Sequence, residues 1–131
     1  ENTDIWIASS SDLGLNWSSP KKVNDDKGAH HQFMSAMRID LTTGFLAVLF
    51  YDRRNHDDWH TDVYLAVSKD GGQSFINKKV SDKAFLPSPA VFFGDYLGLD
   101  FYNGNAYCMW PEMNDKKITL KFKKVKVKKL R

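Results

Sequence analysis

The sequence predicts an all-β fold, on two main observations. Its apolar segments are short, rich in Val, Ile, Tyr, Phe and Trp, and bounded by Gly, Asn, Asp and Pro, which is typical of strands. Helical periodicity is almost absent from the 131 residues, 42% of which are hydrophobic. No apolar run approaches the ~18 residues of a membrane-spanning helix. The single Cys108 rules out an internal disulfide.

The predicted strands differ in the faces they bury. Phe33–Ile39 alternates apolar and polar residues, which indicates one buried face. Phe45–Tyr51 is apolar on both faces, so we expect it to be covered above and below. Asn103-Gly104 indicates a two-residue type I′ hairpin turn, because both residues tolerate a positive φ. Further strands are predicted at 5–8, 63–67, 98–102, 106–110 and 118–127.

The last segment carries much of the positive charge behind the net charge of +3. Residues 116–131 hold nine Lys or Arg and no acid, which leaves 10 basic and 16 acidic side chains in the first 115 residues. A nucleic-acid-binding tail is one interpretation. The apolar alternation instead favours an outer strand whose lysines block edge-to-edge pairing, and we expect no nucleic-acid partner. The alternation changes phase at Lys123-Lys124, which predicts a β-bulge there.

An internal repeat organises the chain. Residues 4–23 recur as 62–80 at an offset of about 58, and residues 39–52 recur as 99–112 at an offset of 60. The unit that contains both parts supplies four short strands, at 33–40, 45–52, 62–68 and around 78–81. Four antiparallel strands in each tandem repeat indicate the blades of a β-propeller.

The repeat also divides the chain. We expect the last two strands of one blade in residues 1–24, a complete blade in 25–84 and most of a third in 85–131. About two and a quarter blades do not close a propeller, because even four blades at this spacing need about 230 residues. The sequence therefore predicts a segment of a larger propeller, or a protomer whose partners are other copies of the chain.

A short motif within the repeat points to a family. Ser68–Phe75 matches the pattern Ser-x-Asp-x-Gly-x-Ser/Thr-Trp/Phe, and Ser10–Trp17 matches it with Asn16 in the Ser/Thr place. The pattern resembles the Asp-box, or BNR repeat, of sialidase-like propellers. Residues 50–55, 61–64 and 94–99 also resemble glycosyl hydrolases of that kind. The resemblance implies six blades, an extracytoplasmic location and a glycan or glycoprotein substrate. The Arg-Ile-Pro motif of authentic sialidases is absent.

The residues of the Asp-box have a structural explanation. An Asp side chain can accept backbone N–H groups inside a tight turn, and Gly supplies a positive φ. We expect each box to turn the third strand of a blade into the fourth, with the aromatic residue folded back over the sheet. The residues assigned to this structural role are Asp12, Gly14, Trp17, Asp70, Gly72 and Phe75.

The face opposite the Asp-boxes is where the sequence predicts a functional site. Loops between second and third strands, and connections between blades, meet at that face because neighbouring strands alternate in direction. The predicted loops are 25–32, 52–60, 87–96 and 111–115, and they contain all four histidines of the chain.

Three interpretations of these loops compete. In the first, the resemblance implies a sialidase-type site, with a Tyr nucleophile assisted by a carboxylate and an Arg that binds the substrate carboxylate. Arg53 or Arg54 is the candidate clamp. The full candidate set is Asp52, Arg53, Arg54, Asp95, Tyr96 and Glu112.

The other two interpretations need no nucleophile. In the second, the loop 56–62 binds a divalent metal through His and Asp side chains, although their spacing matches no defined site. Its candidate ligands are His56, Asp57, Asp58, His60 and Asp62. In the third, the propeller is a non-catalytic module that binds carbohydrate or protein, with Trp59 stacking on a sugar. The first interpretation is the leading prediction, with no cofactor, and the binding module is the alternative.

Overall fold

A computed structural model describes residues 2–92, 94, 96–127 and 130. The all-β prediction is confirmed: these residues form three open antiparallel sheets. The first sheet pairs β1 (Trp6–Ile7) with β2 (Lys21–Lys22). The second has the order β3 (Gln32–Ile39), β4 (Leu46–Asp52), β5 (Asp62–Ser68), β6 (Ile76–Lys79), and the third has the order β7 (Gly98–Tyr102), β8 (Asn105–Asn114), β9 (Lys117–Lys126). No helix in the described residues is long and apolar enough to cross a membrane.

The second sheet is the middle layer of the molecule. Every residue of β4 and β5 is buried, as the two-sided apolar pattern of Phe45–Tyr51 predicts. One face of the sheet packs against the third sheet, through residues such as Leu49 and Leu65. The other face, which includes Phe50 and Tyr64, packs against Ile5 and Ile7 of the first sheet and its neighbouring residues. Two apolar interfaces therefore hold the three sheets in one stack.

Two buried hydrogen bonds join the second sheet to the third. The Gly104 N–H donates to Asp40 Oδ2 at 2.6 Å, and the Tyr51 hydroxyl donates to the Pro111 carbonyl at 2.9 Å. Burial raises the pKa of Tyr51, and the charge of Glu112 raises it further, so this hydroxyl keeps its proton. These bonds fix the position of the second sheet on the third, because shifting one sheet by a residue would leave a buried polar group unpaired.

The two Asp-box turns share one hydrogen-bond scheme. In each, the Ser hydroxyl donates to the Asp carboxylate at 2.7 Å. The same hydroxyl accepts the N–H of the Gly that lies two residues after the Asp. The glycines have φ of 88° and 86°. Both turns connect the two strands predicted for them. Phe75 packs against the interface of the first and second sheets, but Trp17 is 65% exposed and donates to the Gly14 carbonyl, so the expected cover is wrong for Trp17.

The β-bulge predicted in β9 is absent, and an unpredicted one occurs in β3. β9 pairs with β8 without a register shift, so no bulge exists at Lys123-Lys124. The phase change instead marks a change of face, because Phe122 is exposed while Val125 is buried. A bulge does occur in β3, between Phe33 and Ala36. Met34 has a positive φ of 51° at that point.

The third sheet departs from the predicted layout at one end. Residues 111–114 belong to β8 and not to a loop, so only a tight turn at Asp115 and Lys116 joins β8 to β9. Pro111 fits inside this strand because β7 pairs with β8 only as far as Met109. The missing N–H of proline therefore costs no ladder bond on that side. The described part of this sheet has three strands, and the basic segment supplies the third of them.

Candidate functional site

A cleft of about 1090 Å³ opens at the end of the second and third sheets opposite the Asp-box turns. Three of the four predicted loop regions contribute to it: the β4–β5 loop, the connection from β6 to β7, and the end of β8 with its turn. Its polar and charged lining residues include Arg53, His60, Asn114, Asp115 and Lys116. Its apolar lining includes Met34, Trp59, Phe85, Leu86, Phe92 and Met113. A second cavity of about 270 Å³ lies beside it and shares Arg53 and Trp59.

Arg53 is the central polar residue of this region. Its guanidinium carbon lies 4.8 Å from the ring centroids of both Phe33 and Trp59. Arg53 Nε donates to Thr61 Oγ1 at 3.2 Å. Burial lowers the pKa of this guanidinium, which nonetheless stays charged at neutral pH. No ion pair joins Arg53 to an acidic side chain in the described part of the chain. The structure therefore holds a cation between two aromatic rings at the edge of the cleft.

Arg54 is used differently. It forms ion pairs with the fully buried Asp52, at 2.7 Å, and with Asp25, and its guanidinium lies 4.2 Å from the Tyr64 ring. Burial would lower the Arg54 pKa, but the hydrogen bonds with the two carboxylates outweigh it and raise the pKa. Asp52 also accepts from the Arg54 N–H and from Gln32. Asp52 and Arg54 thus form a structural corner against the first sheet.

Glu112 and Tyr96, the other catalytic candidates within the described residues, do not line the cleft. Glu112 is buried on the face of β8 that packs against the second sheet, where it accepts the Trp110 indole N–H at 2.9 Å. Tyr96 is 87% exposed and lies outside the cleft lining. Asp95 lies outside the described residues. Of the five candidates that the structure describes, Asp52 and Arg54 are in contact and Arg53 alone lines the cleft.

The four histidines gather at this end of the molecule. His60 lines the larger cleft, whereas His30, His31 and His56 line the smaller cavity. His56 pairs with Asp62 at 3.1 Å and His60 pairs with Asp58 at 2.8 Å. These are separate pairs: within the described residues, no three His, Cys, Asp or Glu side chains are grouped to hold a metal ion. The geometry does not support the metal interpretation of this loop.

Sequence reasoning missed the apolar floor of the cleft. Phe85 is buried, and its backbone pairs with Thr61 in an isolated β-bridge. This bridge fastens the β6–β7 connection to the end of the β4–β5 loop. Met34, at the bulge of β3, also reaches the lining. The sequence signal was the apolar pair Phe85-Leu86 before Pro87, inside a stretch without alternation.

Comparison with family models finds no match for this chain, and no curated protein matches its sequence.

Proposed function

We propose that this chain is part of a sialidase-like Asp-box propeller and that its cleft binds an acidic glycan. The support for propeller blades is the stack itself. Three antiparallel sheets pack face to face, the middle one has four strands in sequential order, and Asp-box turns join the last two strands of the first and second sheets. Blades of four antiparallel strands repeat in this way around a propeller. By the same resemblance, we propose an extracytoplasmic location.

The single observation that carries the ligand proposal is Arg53. Its neighbour Arg54 is neutralised by two carboxylates. Arg53 instead has two aromatic rings beside its guanidinium, and its Nε donates a hydrogen bond to the Thr61 hydroxyl. Its terminal nitrogens remain suited to a planar anion, because a guanidinium matches a carboxylate with two parallel hydrogen bonds. A partly desolvated cation of this kind at a cleft favours a ligand that carries a carboxylate.

The aromatic lining supports a sugar as the body of that ligand. Trp59 and Phe92 are largely exposed and line the cleft beside Leu86. Exposed aromatic faces contribute large, rigid contact areas, and the C–H face of a pyranose ring is a suitable partner. Asn114, Asp115 and Lys116 on the turn side of the cleft offer hydrogen bonds to hydroxyl groups.

Titration calorimetry with sialyllactose and with neutral lactose tests this proposal. We expect the acidic sugar to bind more tightly, and Arg53→Gln to weaken its binding by about tenfold to hundredfold, the equivalent of a charge-assisted hydrogen-bond pair. Arg38→Gln is the matched control, because Arg38 is an exposed arginine on β3 outside the cleft lining. Equal binding of the two sugars, or an unchanged affinity in Arg53→Gln, would contradict the proposal.

Hydrolysis of the same ligand is the second candidate function. Its candidate nucleophile is Tyr96, whose exposed side chain lies outside the cleft lining but on the β6–β7 connection that supplies Phe92 and Gly94 to the cleft. A fluorogenic sialoside measures this activity directly. If the chain is a glycosidase of the Tyr type, Tyr96→Phe abolishes turnover and leaves sialyllactose binding intact. Binding without turnover in the parent chain supports the non-catalytic module instead.

A further inference from the structure

Two faces at opposite ends of the stack carry large exposed apolar side chains. On the third sheet, the face turned away from the second sheet presents Met109, Leu120 and Phe122, and the last two are 66% exposed. We call these three residues the β8–β9 face. On the first sheet, Ile5 and Ile7 pack inward, so Trp6 points outward between them. Trp6 is 56% exposed. Patches of this kind commonly mark interaction sites.

By the sequence repeat, the β8–β9 face corresponds to a face of the second sheet that is already buried against a neighbouring sheet. At the offset of 60 residues, Met109 takes the position of Leu49. Leu49 pairs with Leu65 in the second sheet, just as Met109 pairs with Phe122 in the third. Leu49 and Leu65 are fully buried against the third sheet. The β8–β9 face is therefore the counterpart of the face with which the second sheet covers the third.

By the sequence repeat, Trp6 corresponds to a residue on the other face of the second sheet, which is also buried against a neighbouring sheet. At the offset of 58 residues, Trp6 takes the position of Tyr64. Tyr64 is buried in the face of the second sheet that packs against the first, where Ile5 and Ile7 contact its cluster.

The correspondence extends to those two isoleucines. By repeat and register, Leu120 takes the place of Ile5, and Phe122 takes the place of Ile7. Inside the chain, Ile5 and Ile7 contact the cluster around Tyr64. The corresponding contact would join Leu120 and Phe122 to Trp6. These two surfaces lie at opposite ends of the same molecule.

We propose that a second copy of this chain occupies the β8–β9 face through its Trp6 end, in a head-to-tail contact. The contact continues the existing stack by one more step of the same kind. Because the two surfaces differ, the contact is heterologous, and repetition leads to a ring or an open assembly. The first sheet offers two strands instead of four, so the interface is narrow and its formation depends on protein concentration.

The charges on the β8–β9 face favour this contact over a symmetric one. Lys124 and Lys126 lie two and four residues after Phe122 along β9, so they share its face. Two such faces pressed together would oppose lysine to lysine, and like charges directly opposite are destabilising. At the Trp6 end, Lys22 is paired with Asp4, so this end presents no comparable excess of positive charge.

Analytical ultracentrifugation of the full chain at rising concentration tests the proposal. We expect the mass to rise to twice that of one chain or more. Phe122→Glu and Trp6→Glu should each weaken self-association by about tenfold or more, as substitution of a buried aromatic at an interface does. Leu41→Glu is the matched control, because Leu41 is 94% exposed in the β3–β4 turn, away from both faces. Circular dichroism verifies that each variant is folded.

Mixing the two variants gives the decisive result. The Phe122→Glu chain keeps its Trp6 end, and the Trp6→Glu chain keeps its β8–β9 face, so together they should form a 1:1 dimer that neither forms alone. A chain that stays monomeric at every concentration overturns the proposal. Self-association that survives Phe122→Glu, or a mixture that fails to form the dimer, overturns it as well. The readout is mass, so it stands apart from the outcome for the cleft ligand.

Discussion

The second and third sheets come from the same repeat, yet they differ in how fully they are enclosed. The second sheet has protein on both faces, and all of β4 and β5 is buried. The third sheet has protein on one face, and most of β9 is exposed. At matched positions, Asp52 and Arg54 of the second sheet form an ion pair, whereas Glu112 and Asn114 of the third do not. The comparison therefore separates structural features that the repeated sequence itself specifies from burial and contacts that require a neighbouring sheet.

The largest expected difference between the sheets lies at Arg54. Arg54→Met leaves Asp52 fully buried without its cation, and we expect the free energy of unfolding to fall by about 3–5 kcal/mol. Asn114→Met, at the matched position in the third sheet, is exposed and should change it by less than about 0.5 kcal/mol. Urea denaturation measures both. Similar losses in the two variants would mean that the ion pair is not what distinguishes the sheets.

The next difference concerns apolar burial at matched positions of β5 and β9. Leu65→Ala removes a side chain from the interface of the second and third sheets, so we expect a loss of about 2–5 kcal/mol. Phe122→Ala should cost less than about 1 kcal/mol in dilute solution, since its ring is already largely in water. Thermal unfolding at low concentration compares the two. A large loss for Phe122→Ala at high dilution would show that its ring stabilises the single chain.

Much of the fold could be predicted because its signals are local. The strand at β3, the two-sided apolar pattern of β4 and the Asn103-Gly104 turn depend on a few consecutive residues. The single buried face predicted for β3 was wrong, because the strand has a bulge after Phe33 and Met37 and Ile39 are exposed. The phase change in β9 was misinterpreted as a bulge, which would keep the apolar residues before and after it on one face. Instead, Ile118, Leu120 and Phe122 are exposed and Val125 is buried. Apolar spacing does not tell which face of a strand has a covering neighbour. Pro111 was placed in a loop. It fits in β8 because β7 pairs with β8 only as far as Met109, and the sequence of β8 does not show where that pairing ends.

The site was harder to predict because its character depends on distant partners. Arg53 and Arg54 are adjacent and chemically equal, and the sequence offered both as clamps. The partners that neutralise Arg54 include Asp25, 29 residues away, and the rings around Arg53 come from Phe33 and Trp59. The gathering of the histidines at one end followed from strand direction, which the repeat gives. The positions of Glu112 and Tyr96 did not follow, because they depend on where β8 ends and the connection begins.

Acid sensitivity provides a third comparison, between Asp40 and its repeat counterpart Asp100. Burial raises the Asp40 pKa, but hydrogen bonds from the Gly104 N–H and from Thr42 lower it below the ordinary value of 3.8. A depressed carboxyl pKa stabilises the fold above that value, and the stabilisation disappears as the pH falls below it. We expect Asp40→Asn to be less stable than the parent at neutral pH and to converge with it in acid. Asp100→Asn is the matched control at an exposed position. In a pH series of urea denaturations, a stability difference between Asp40→Asn and the parent that does not shrink in acid would contradict this.

The smallest expected effect is one that the two sheets share. Gly44 and Gly104 occupy matched positions with φ of 71° and 70°, in turns of different length. A Cβ at Gly44 would meet no atom within 4 Å, so Gly44→Ala tests backbone strain alone and should cost about 1 kcal/mol. Gly104 is buried, so Gly104→Ala, which keeps the N–H that donates to Asp40, should cost more than Gly44→Ala because its Cβ also needs space. Gly44→Asn should recover part of the loss, because Asn tolerates this conformation better. Urea denaturation measures all three variants, and no loss in Gly44→Ala would contradict this explanation of the turn.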